Sequence, residues 1–184
     1  MATTRTRSMR VVGGEFRGRR IEAPRGLATR PTAERVREAV FSILGGIADA
    51  LVLDLFAGSG ALGIEALSRG AAHATFIDDG AAAIAAVIDN RRLLGLEDRS
   101  EVVRGDVREV PFGGPYDLVF IDPPYAQARE FGPLLSVRLP PELKPGARVV
   151  TESDRRTPLA LSLPLTLERR YGDTLIRIHR LENR

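Results

Sequence analysis

The sequence predicts an α/β fold, built on a mostly parallel, doubly wound sheet of seven strands with an antiparallel hairpin at its C-terminal end. From residue 50 onward, short apolar runs typical of strands alternate with segments of helical periodicity. A glycine-rich turn follows the first of these runs, and two late runs flank the turn residues Gly172 and Asp173. Repeated strand–helix units form parallel sheets with helices on both faces, and 184 residues are enough for one such domain.

The elements follow in chain order. Two short strands are predicted at residues 10–12 and 19–23, and a helix over 33–44 is expected to begin after Thr32 as N-cap and to end at Gly45. The strands of the main sheet are expected at 51–56, 74–77, 101–104, 118–121, 147–151, 165–170 and 174–180, and its helices at 61–68, 81–94 and about 129–137.

Charge is distributed unevenly along the chain. Residues 1–37 contain ten arginines and three glutamates, a net charge of +7, whereas the whole chain carries +3 and the remainder therefore −4. Because arginine outnumbers lysine 26 to 1 throughout, the clustering carries the information rather than the choice of arginine. The cluster predicts a basic surface for a polyanion. We divide the chain into a flexible tail (1–8), a β-hairpin extension (9–31) and a main domain (32–184).

Composition excludes several classes of protein. The chain has no cysteine and two histidines, His73 and His179, far apart in sequence, so disulfides, thiolate chemistry and a zinc site are not expected. No apolar stretch approaches the length of a membrane span, and the first eight residues lack the apolar core of a secretory signal. We therefore expect a cytoplasmic protein with no membrane partner and no metal. We also expect a monomer, although composition does not determine the oligomeric state.

A glycine motif marks a nucleotide site. The segment from Gly58 to Gly63 reads G-x-G-x-x-G after a predicted strand, and Asp78 follows Gly58 by twenty residues at the end of the next strand. Such glycines let the backbone approach a ligand, and the acid accepts hydrogen bonds from ribose hydroxyls. The motif alone predicts an adenosine-containing cofactor without choosing between a nicotinamide dinucleotide and S-adenosylmethionine.

A second motif, Asp122-Pro123-Pro124-Tyr125, ends the fourth strand of the main sheet. Two prolines remove backbone donors and stiffen the chain, which leaves the carboxylate and carbonyls to accept hydrogen bonds from an amine on a planar ring. A hydride-transfer enzyme has no evident use for this box, so it favours S-adenosylmethionine. The predicted catalytic residues are Asp122, Pro123, Pro124 and Tyr125.

Two further acids also favour S-adenosylmethionine. Asp54 lies inside the strand before the glycines, where it can hold a cationic amino-acid group, and Asp106 is placed to accept from an adenine amine. Structural roles remain open for both: Asp54 as a cap for the N–H groups of the glycine loop, and Asp106 as the N-cap of a short helix. The predicted cofactor-binding residues are Asp54, Phe56, Ala57, Gly58, Gly60, Asp78, Asp106, Val107 and Asp122.

Residues 54–71, DLFAGSGALGIEALSRGA, together with the Asp-Pro-Pro-Tyr box, resemble the RsmD family of 16S ribosomal RNA guanine-N2 methyltransferases. Residues 10–19 and 30–38 are similar to that family's opening, so the resemblance spans about residues 9–180. One departure is Asp78, where the family more often has glutamate; Asp79 can share its ribose contact. The resemblance implies a Rossmann-like class I methyltransferase that uses S-adenosylmethionine.

The resemblance also implies the substrate. The methyl acceptor would be N2 of guanine 966 in 16S ribosomal RNA, within a protein-bound small-subunit particle. Asp122 and the Pro123 carbonyl would then hold the amine and Tyr125 would stack on the base. The predicted RNA-binding residues are Arg10, Phe16, Arg17, Arg19, Arg20, Arg30, Thr32, Arg35 and Arg37.

Other functions remain open at this point. The box also suits adenine-N6, cytosine-N4 and glutamine-N5 methylation, although a DNA methyltransferase normally needs a larger recognition segment. A nicotinamide-dependent oxidoreductase would use the same glycine loop. A non-catalytic RNA-binding protein with a vestigial cofactor site is the remaining alternative.

Overall fold

The computed structural model describes residues 8–24 and 34–182, apart from the side chain of Tyr125. Four predictions therefore fall outside the described residues: the tail up to residue 7, the Arg30 contact, the Thr32 cap and the Tyr125 ring. They stay predictions.

A small antiparallel sheet begins the chain, formed by β1 (Ser8–Arg10) and β2 (Arg20–Glu22). The first strand lies two residues earlier than predicted. The Val11 N–H still donates to the Arg19 carbonyl at 3.0 Å, but the N–H groups of Val12 and Gly13 donate to a side chain of the main domain, so the strand does not continue to Val12. Met9 and Ile21 are buried on one face of this pair.

The main sheet has seven strands, as predicted. They are β3 (Leu51–Leu55), β4 (His73–Asp78), β5 (Ser100–Arg104), β6 (Tyr116–Ile121), β7 (Leu143–Asp154), β8 (Leu165–Tyr171) and β9 (Thr174–Arg180). Their order is β5-β4-β3-β6-β7-β9-β8; the first five are parallel, and β9 runs antiparallel to both neighbours. The predicted doubly wound sheet with its C-terminal hairpin is confirmed.

Within the described residues, four helices cover the sheet on both faces: α1 (Glu34–Leu44), α2 (Ala61–Ser68), α3 (Ala81–Leu94) and α4 (Ala128–Arg138). One apolar cluster joins the small sheet, α1, α2 and α3 to one face of the main sheet. A second cluster packs α4 on the other face through Phe131 and Leu135.

Strand β7 is longer than the five residues predicted for it. Its pairing with β6 ends at Thr151, but its pairing with β9 runs over Arg148–Asp154. The strand therefore extends through Asp154. The carboxyl end of β7 therefore lies beyond the end of β6, and Glu152 lies at the carboxyl ends of the parallel strands.

The switch point of the sheet lies at β3. The chain enters the parallel sheet at β3, adds β4 and β5 on one side and then crosses to β6 on the other. Ligands of doubly wound sheets bind beyond the carboxyl ends of the strands at such a point.

Candidate active site

A cavity of about 800 Å³ opens at the carboxyl ends of β3, β4 and β6. This volume suits a nucleoside-sized ligand. All but one of the predicted cofactor residues line it: Asp54, Phe56, Ala57, Gly58, Asp78, Asp106, Val107 and Asp122. Pro123 and Pro124 line the same cavity, so the structure brings the two sequence motifs together.

The glycine loop turns sharply between β3 and α2. Phe56 and Gly58 both have left-handed backbone angles, with φ of 60° and 56°. A left-handed phenylalanine is uncommon and costs about 1–3 kcal/mol, and such residues concentrate at functional sites. The Phe56 ring packs edge-on against Phe131, with 4.6 Å between ring centroids, and Phe131 also lines the cavity.

Gly60 is the predicted cofactor residue that does not line the cavity. Its φ is 76°, and a Cβ there would lie 3.2 Å from the Phe76 ring and 3.3 Å from Val87. Gly60 therefore allows α2 to begin close to the sheet, and its contact with the cofactor stays a prediction.

Asp78 anchors the glycine loop from the end of β4. Its two carboxylate oxygens accept the N–H groups of Gly58 at 2.9 Å and of Gly80 at 2.8 Å. Burial raises the pKa of Asp78, whereas these two hydrogen bonds lower it and neighbouring Asp79 raises it. Because each oxygen has a second lone pair, the carboxylate keeps acceptor sites for ribose hydroxyls at the cavity wall.

Asp54 is almost fully buried, with 1% of its surface exposed, yet it lines the cavity. Its Oδ2 accepts the Gly63 N–H at 2.9 Å, which is the capping role left open by the sequence. Burial raises the pKa of Asp54 to about 8, the Gly63 hydrogen bond opposes this and the charge of Asp78 adds to it. A cationic ligand group next to Asp54 would favour the ionised form.

Asp106 is held by Arg108 rather than lying free. Its carboxylate accepts the Arg108 backbone N–H at 2.8 Å and forms an ion pair with the guanidinium at 2.9 Å. The Arg108 side-chain hydrogen bond is the largest cause lowering the pKa of Asp106. Asp106 thus caps the turn that follows β5, which is its structural alternative, while still facing the cavity beside the buried Val107.

The Asp-Pro-Pro-Tyr box leaves β6 at the rim of the cavity. Asp122 is half-buried, Pro123 is buried and Pro124 is exposed. A single helical turn, Tyr125–Gln127, follows and is closed by the Gln127 N–H on the Pro124 carbonyl at 2.8 Å. The turn fixes the direction in which the box leaves the sheet.

The cavity also has a wall that the sequence analysis did not assign. Met9, Ala23 and Pro24 reach it from the small sheet, and Glu152 reaches it from β7. Glu152 has 7% of its surface exposed. Glu152 directly follows the predicted strand 147–151, as Asp78 and Asp122 come at the ends of their strands. This shared position could have identified Glu152 as a cavity residue from the sequence.

Glu65 on α2 fixes the N-terminal extension to the main domain. Its carboxylate is buried and accepts the N–H groups of Val12 and Gly13, each at 2.8 Å. It also pairs with Arg69 at 2.8 Å and with Arg37 at 3.4 Å. Nothing in the local sequence distinguishes Glu65 from an ordinary exposed helix residue.

Arg37 corrects a prediction. The sequence predicts that it contacts RNA, but it is fully buried, pairs with Glu65 and donates to the Arg10 carbonyl. Burial lowers the pKa of Arg37, and the charge of Glu65 raises it. Its helix turns it inward under the small sheet, so it stabilises the extension instead of binding a phosphate.

The other predicted RNA contacts within the described residues differ in exposure. Phe16 is half-buried against the apolar cluster, and its backbone N–H donates to Ser68 Oγ at 2.9 Å. The exposed arginines are Arg10, Arg17, Arg19, Arg20 and Arg35. The geometry leaves these arginines available to a phosphate backbone.

Asn90 on α3 joins the small sheet to the glycine loop. Its Oδ1 accepts the Glu22 N–H at 2.8 Å, and its Nδ2 donates to the carbonyls of Glu22 and Ser59, each at 2.9 Å. One buried amide thus contacts both the extension and the loop that walls the cavity.

Within residues 8–24 and 34–182, no group of three or more acidic or histidine side chains is arranged to hold a metal ion. The helices of the same part of the chain include none that is long and apolar enough to cross a membrane.

A seven-stranded sheet of this order, a glycine loop at its switch point and an Asp-Pro-Pro-Tyr box after its fourth strand together define a Rossmann-like methyltransferase that uses S-adenosylmethionine. The sequence predicted this fold class and this cofactor.

Comparison with known proteins identifies the family. Residues 9–180 match the family model described as conserved hypothetical protein 95. The putative rRNA methyltransferase YlbH of Bacillus subtilis is 37% identical over 185 residues, which cover 94% of this chain and 98% of YlbH. Ribosomal RNA small subunit methyltransferase D of Escherichia coli is 43% identical over 120 residues, 64% of this chain and 60% of that protein.

A solved structure agrees with this relationship. The putative methyltransferase yhhF of Escherichia coli is 35% identical and superposes with a TM-score of 0.82. The match covers 97% of this chain and 100% of the yhhF chain. The chain belongs to the conserved hypothetical protein 95 family, the RsmD family of ribosomal RNA small subunit methyltransferases, as its sequence motifs predicted.

Proposed function

We propose that this protein transfers a methyl group from S-adenosylmethionine to the exocyclic N2 amine of guanine 966 in 16S ribosomal RNA. The observation that carries the proposal is the shared cavity, which is lined by the Asp122 box and by the glycine loop at the ends of two adjacent strands. Family membership supports ribosomal RNA as the substrate.

The residues at the cavity fit the cofactor. Asp78 would accept hydrogen bonds from the ribose hydroxyls, Asp106 and Val107 would lie beside the adenine, and Asp54 would provide a buried acid for the ammonium group. When bound, the cofactor supplies an electrophilic methyl group on a sulfonium. Phe56 and Phe131 both line the cavity and pack against each other, so they contribute apolar surface to it.

Asp122 holds and activates the acceptor. An exocyclic base amine is a weak nucleophile because its lone pair is delocalised into the ring. Hydrogen bonds from its two N–H groups to the Asp122 carboxylate and the Pro123 carbonyl orient that lone pair towards the cofactor space. The Asp122 charge also stabilises the positive charge that develops on nitrogen. Asp122 or water takes the proton afterwards.

In this proposal, the N-terminal extension (residues 9–31) binds the RNA. Arg10, Arg17, Arg19, Arg20 and Arg35 are exposed around the small sheet, and the sheet itself supplies part of the cavity wall. Phosphates bound by these arginines would deliver an unpaired or flipped base to Asp122. The substrate is a protein-bound small-subunit particle, and the enzyme acts as a monomer.

Transfer of tritium from labelled S-adenosylmethionine tests the function. Small-subunit particles from a strain lacking this methylation are incubated with the protein, and the RNA is digested and mapped. The proposal predicts N2-methylguanosine at one position. Label in adenine, in cytosine or in protein would contradict it.

A further inference from the structure

Glu152 and Asp122 lie on adjacent strands at the carboxyl ends of the sheet. Strands β6 and β7 are parallel and in register up to Ile121 and Thr151, so the next residue on each chain is one of these two acids. Both line the cavity. Because side chains alternate along a strand, Glu152 points to the same face as Val150, two residues earlier, which packs in the cluster containing Phe120.

Apolar residues of the extension border Glu152 on this face, and Asp54 is a second buried acid that lines the cavity from the same face. Met9, Ala23 and Pro24 of the extension line it, and Met9 and Ala23 belong to the same cluster as Val150 and Phe120. Glu152 has 7% of its surface exposed, so it presents a nearly desolvated carboxylate to whatever lies against Asp122. A polar group in such a setting discriminates strongly between ligands that pair with it and ligands that do not.

Nucleobases differ in the atom next to the amine. In guanine, the amine-bearing carbon C2 lies between N3, which accepts, and N1, which carries a hydrogen and donates; the N1 side is the one that distinguishes guanine. In adenine and cytosine, the corresponding ring nitrogen has a lone pair and accepts. An ionised carboxylate can only accept, so it pairs with the guanine edge and repels the other two.

We propose that Glu152 is the specificity residue of this site: it accepts the N1–H of guanine while Asp122 holds the adjacent N2 amine. This inference rests on the proposed function, and it explains how a box that also suits adenine and cytosine is restricted to guanine. Replacing the carboxylate by an amide adds an N–H donor that can pair with an acceptor nitrogen.

The test compares wild type with Glu152→Gln on two kinds of small-subunit particle, one with guanine and one with adenine at the target position. Methyl transfer is measured as kcat/KM, and S-adenosylhomocysteine affinity is measured by calorimetry. For Glu152→Gln we expect a fall on guanine particles on the order of tenfold to a hundredfold. The ratio of kcat/KM on guanine particles to kcat/KM on adenine particles should also fall, and by more than kcat/KM on guanine particles does. The affinity for S-adenosylhomocysteine should be unchanged.

Asp154→Asn is the matched control. It lies two residues further along β7, accepts the Arg156 N–H at 2.8 Å and should leave the base preference unchanged. If wild type labels guanine but Glu152→Gln keeps the wild-type ratio between the two particles, Glu152 does not read the base and this inference alone fails. If wild type labels adenine or cytosine in native particles, the proposed function fails, and the inference fails with it.

Discussion

The side chain of Asn90 pairs with both backbone groups of Glu22, accepting its N–H at 2.8 Å and donating to its carbonyl at 2.9 Å. The amide thus makes the two hydrogen bonds to Glu22 that a neighbouring strand would make. Because the same Nδ2 also donates to the Ser59 carbonyl, the extension and the glycine loop depend on one buried group.

Asn90→Asp should damage both regions. The substitution keeps one acceptor but replaces two donated hydrogen bonds with an oxygen facing two carbonyls, and a buried unsatisfied group costs about 1–3 kcal/mol. Urea unfolding should show this loss, and S-adenosylhomocysteine should bind more weakly. Asp89→Asn, at the exposed neighbouring position, serves as control. Equal stability of Asn90→Asp and wild type would show that the hydrogen bonds of this amide are dispensable.

Glu65→Gln should be among the most destabilising single changes. The variant keeps the shape of the side chain but leaves the buried Arg37 guanidinium without its opposite charge. Breaking a buried ion pair in this way costs about 3–5 kcal/mol. The free energy of unfolding in urea measures it. A loss below about 1 kcal/mol, the range of surface pairs, would contradict the role assigned to Glu65.

Asp54 should release a proton when the cofactor product binds. Its pKa is raised to about 8 by burial, so at about pH 7 the carboxyl is mostly protonated, and an ammonium group beside it favours ionisation. Calorimetry of S-adenosylhomocysteine binding at about pH 7, in two buffers of different ionisation enthalpy, should detect this proton. It should be absent in Asp54→Asn. The same heat of binding in both buffers for wild type would contradict the prediction.

The raised pKa of Asp54 also affects stability. The folded protein holds the Asp54 proton up to about pH 8, whereas the unfolded chain releases it near the ordinary pKa of 3.8. The contribution of this group is therefore complete below the unfolded pKa and is lost as the pH rises through the folded pKa. Asp54→Asn should flatten the fall in unfolding free energy across this window, and parallel pH profiles of the two proteins would contradict the assignment.

Replacing Arg17, Arg19 and Arg20 together with alanine should abolish RNA methylation and leave cofactor affinity intact. All three are exposed on the extension. For residual binding to particles, the slope of log affinity against log salt should fall by about one for each phosphate that is no longer bound. A triple alanine variant at Arg156, Arg169 and Arg170 makes the same change of charge elsewhere on the surface. Equal reductions in methylation by the two triple variants would indicate a general effect of charge.

The centre of the sheet was predictable because β3 and β6 are largely apolar runs, and such runs indicate a buried parallel sheet without any knowledge of contacts. The acids at the strand ends were predictable for a related reason. Carboxyl ends of parallel strands meet at one edge, so Asp78 and Asp122 had to lie near each other. Glu152 satisfies the same rule.

What the sequence did not reveal has a different origin. Arg37 stands among exposed arginines in the sequence, and only the packing of α1 under the small sheet buries it against Glu65. Gly60 fits the glycine motif, but its close approach to the Phe76 ring could not be read from that motif. Both depend on contacts between segments far apart in the chain, which local patterns do not encode.

Asp122→Ala tests the central claim most directly, that the end of β6 holds the acceptor amine against the cofactor space. Single-turnover methyl transfer to small-subunit particles should fall roughly 10²–10³-fold, as for loss of a group that stabilises developing charge. Calorimetry should show S-adenosylhomocysteine binding within the same order of magnitude as wild type. Transfer at the wild-type rate by Asp122→Ala would contradict the account.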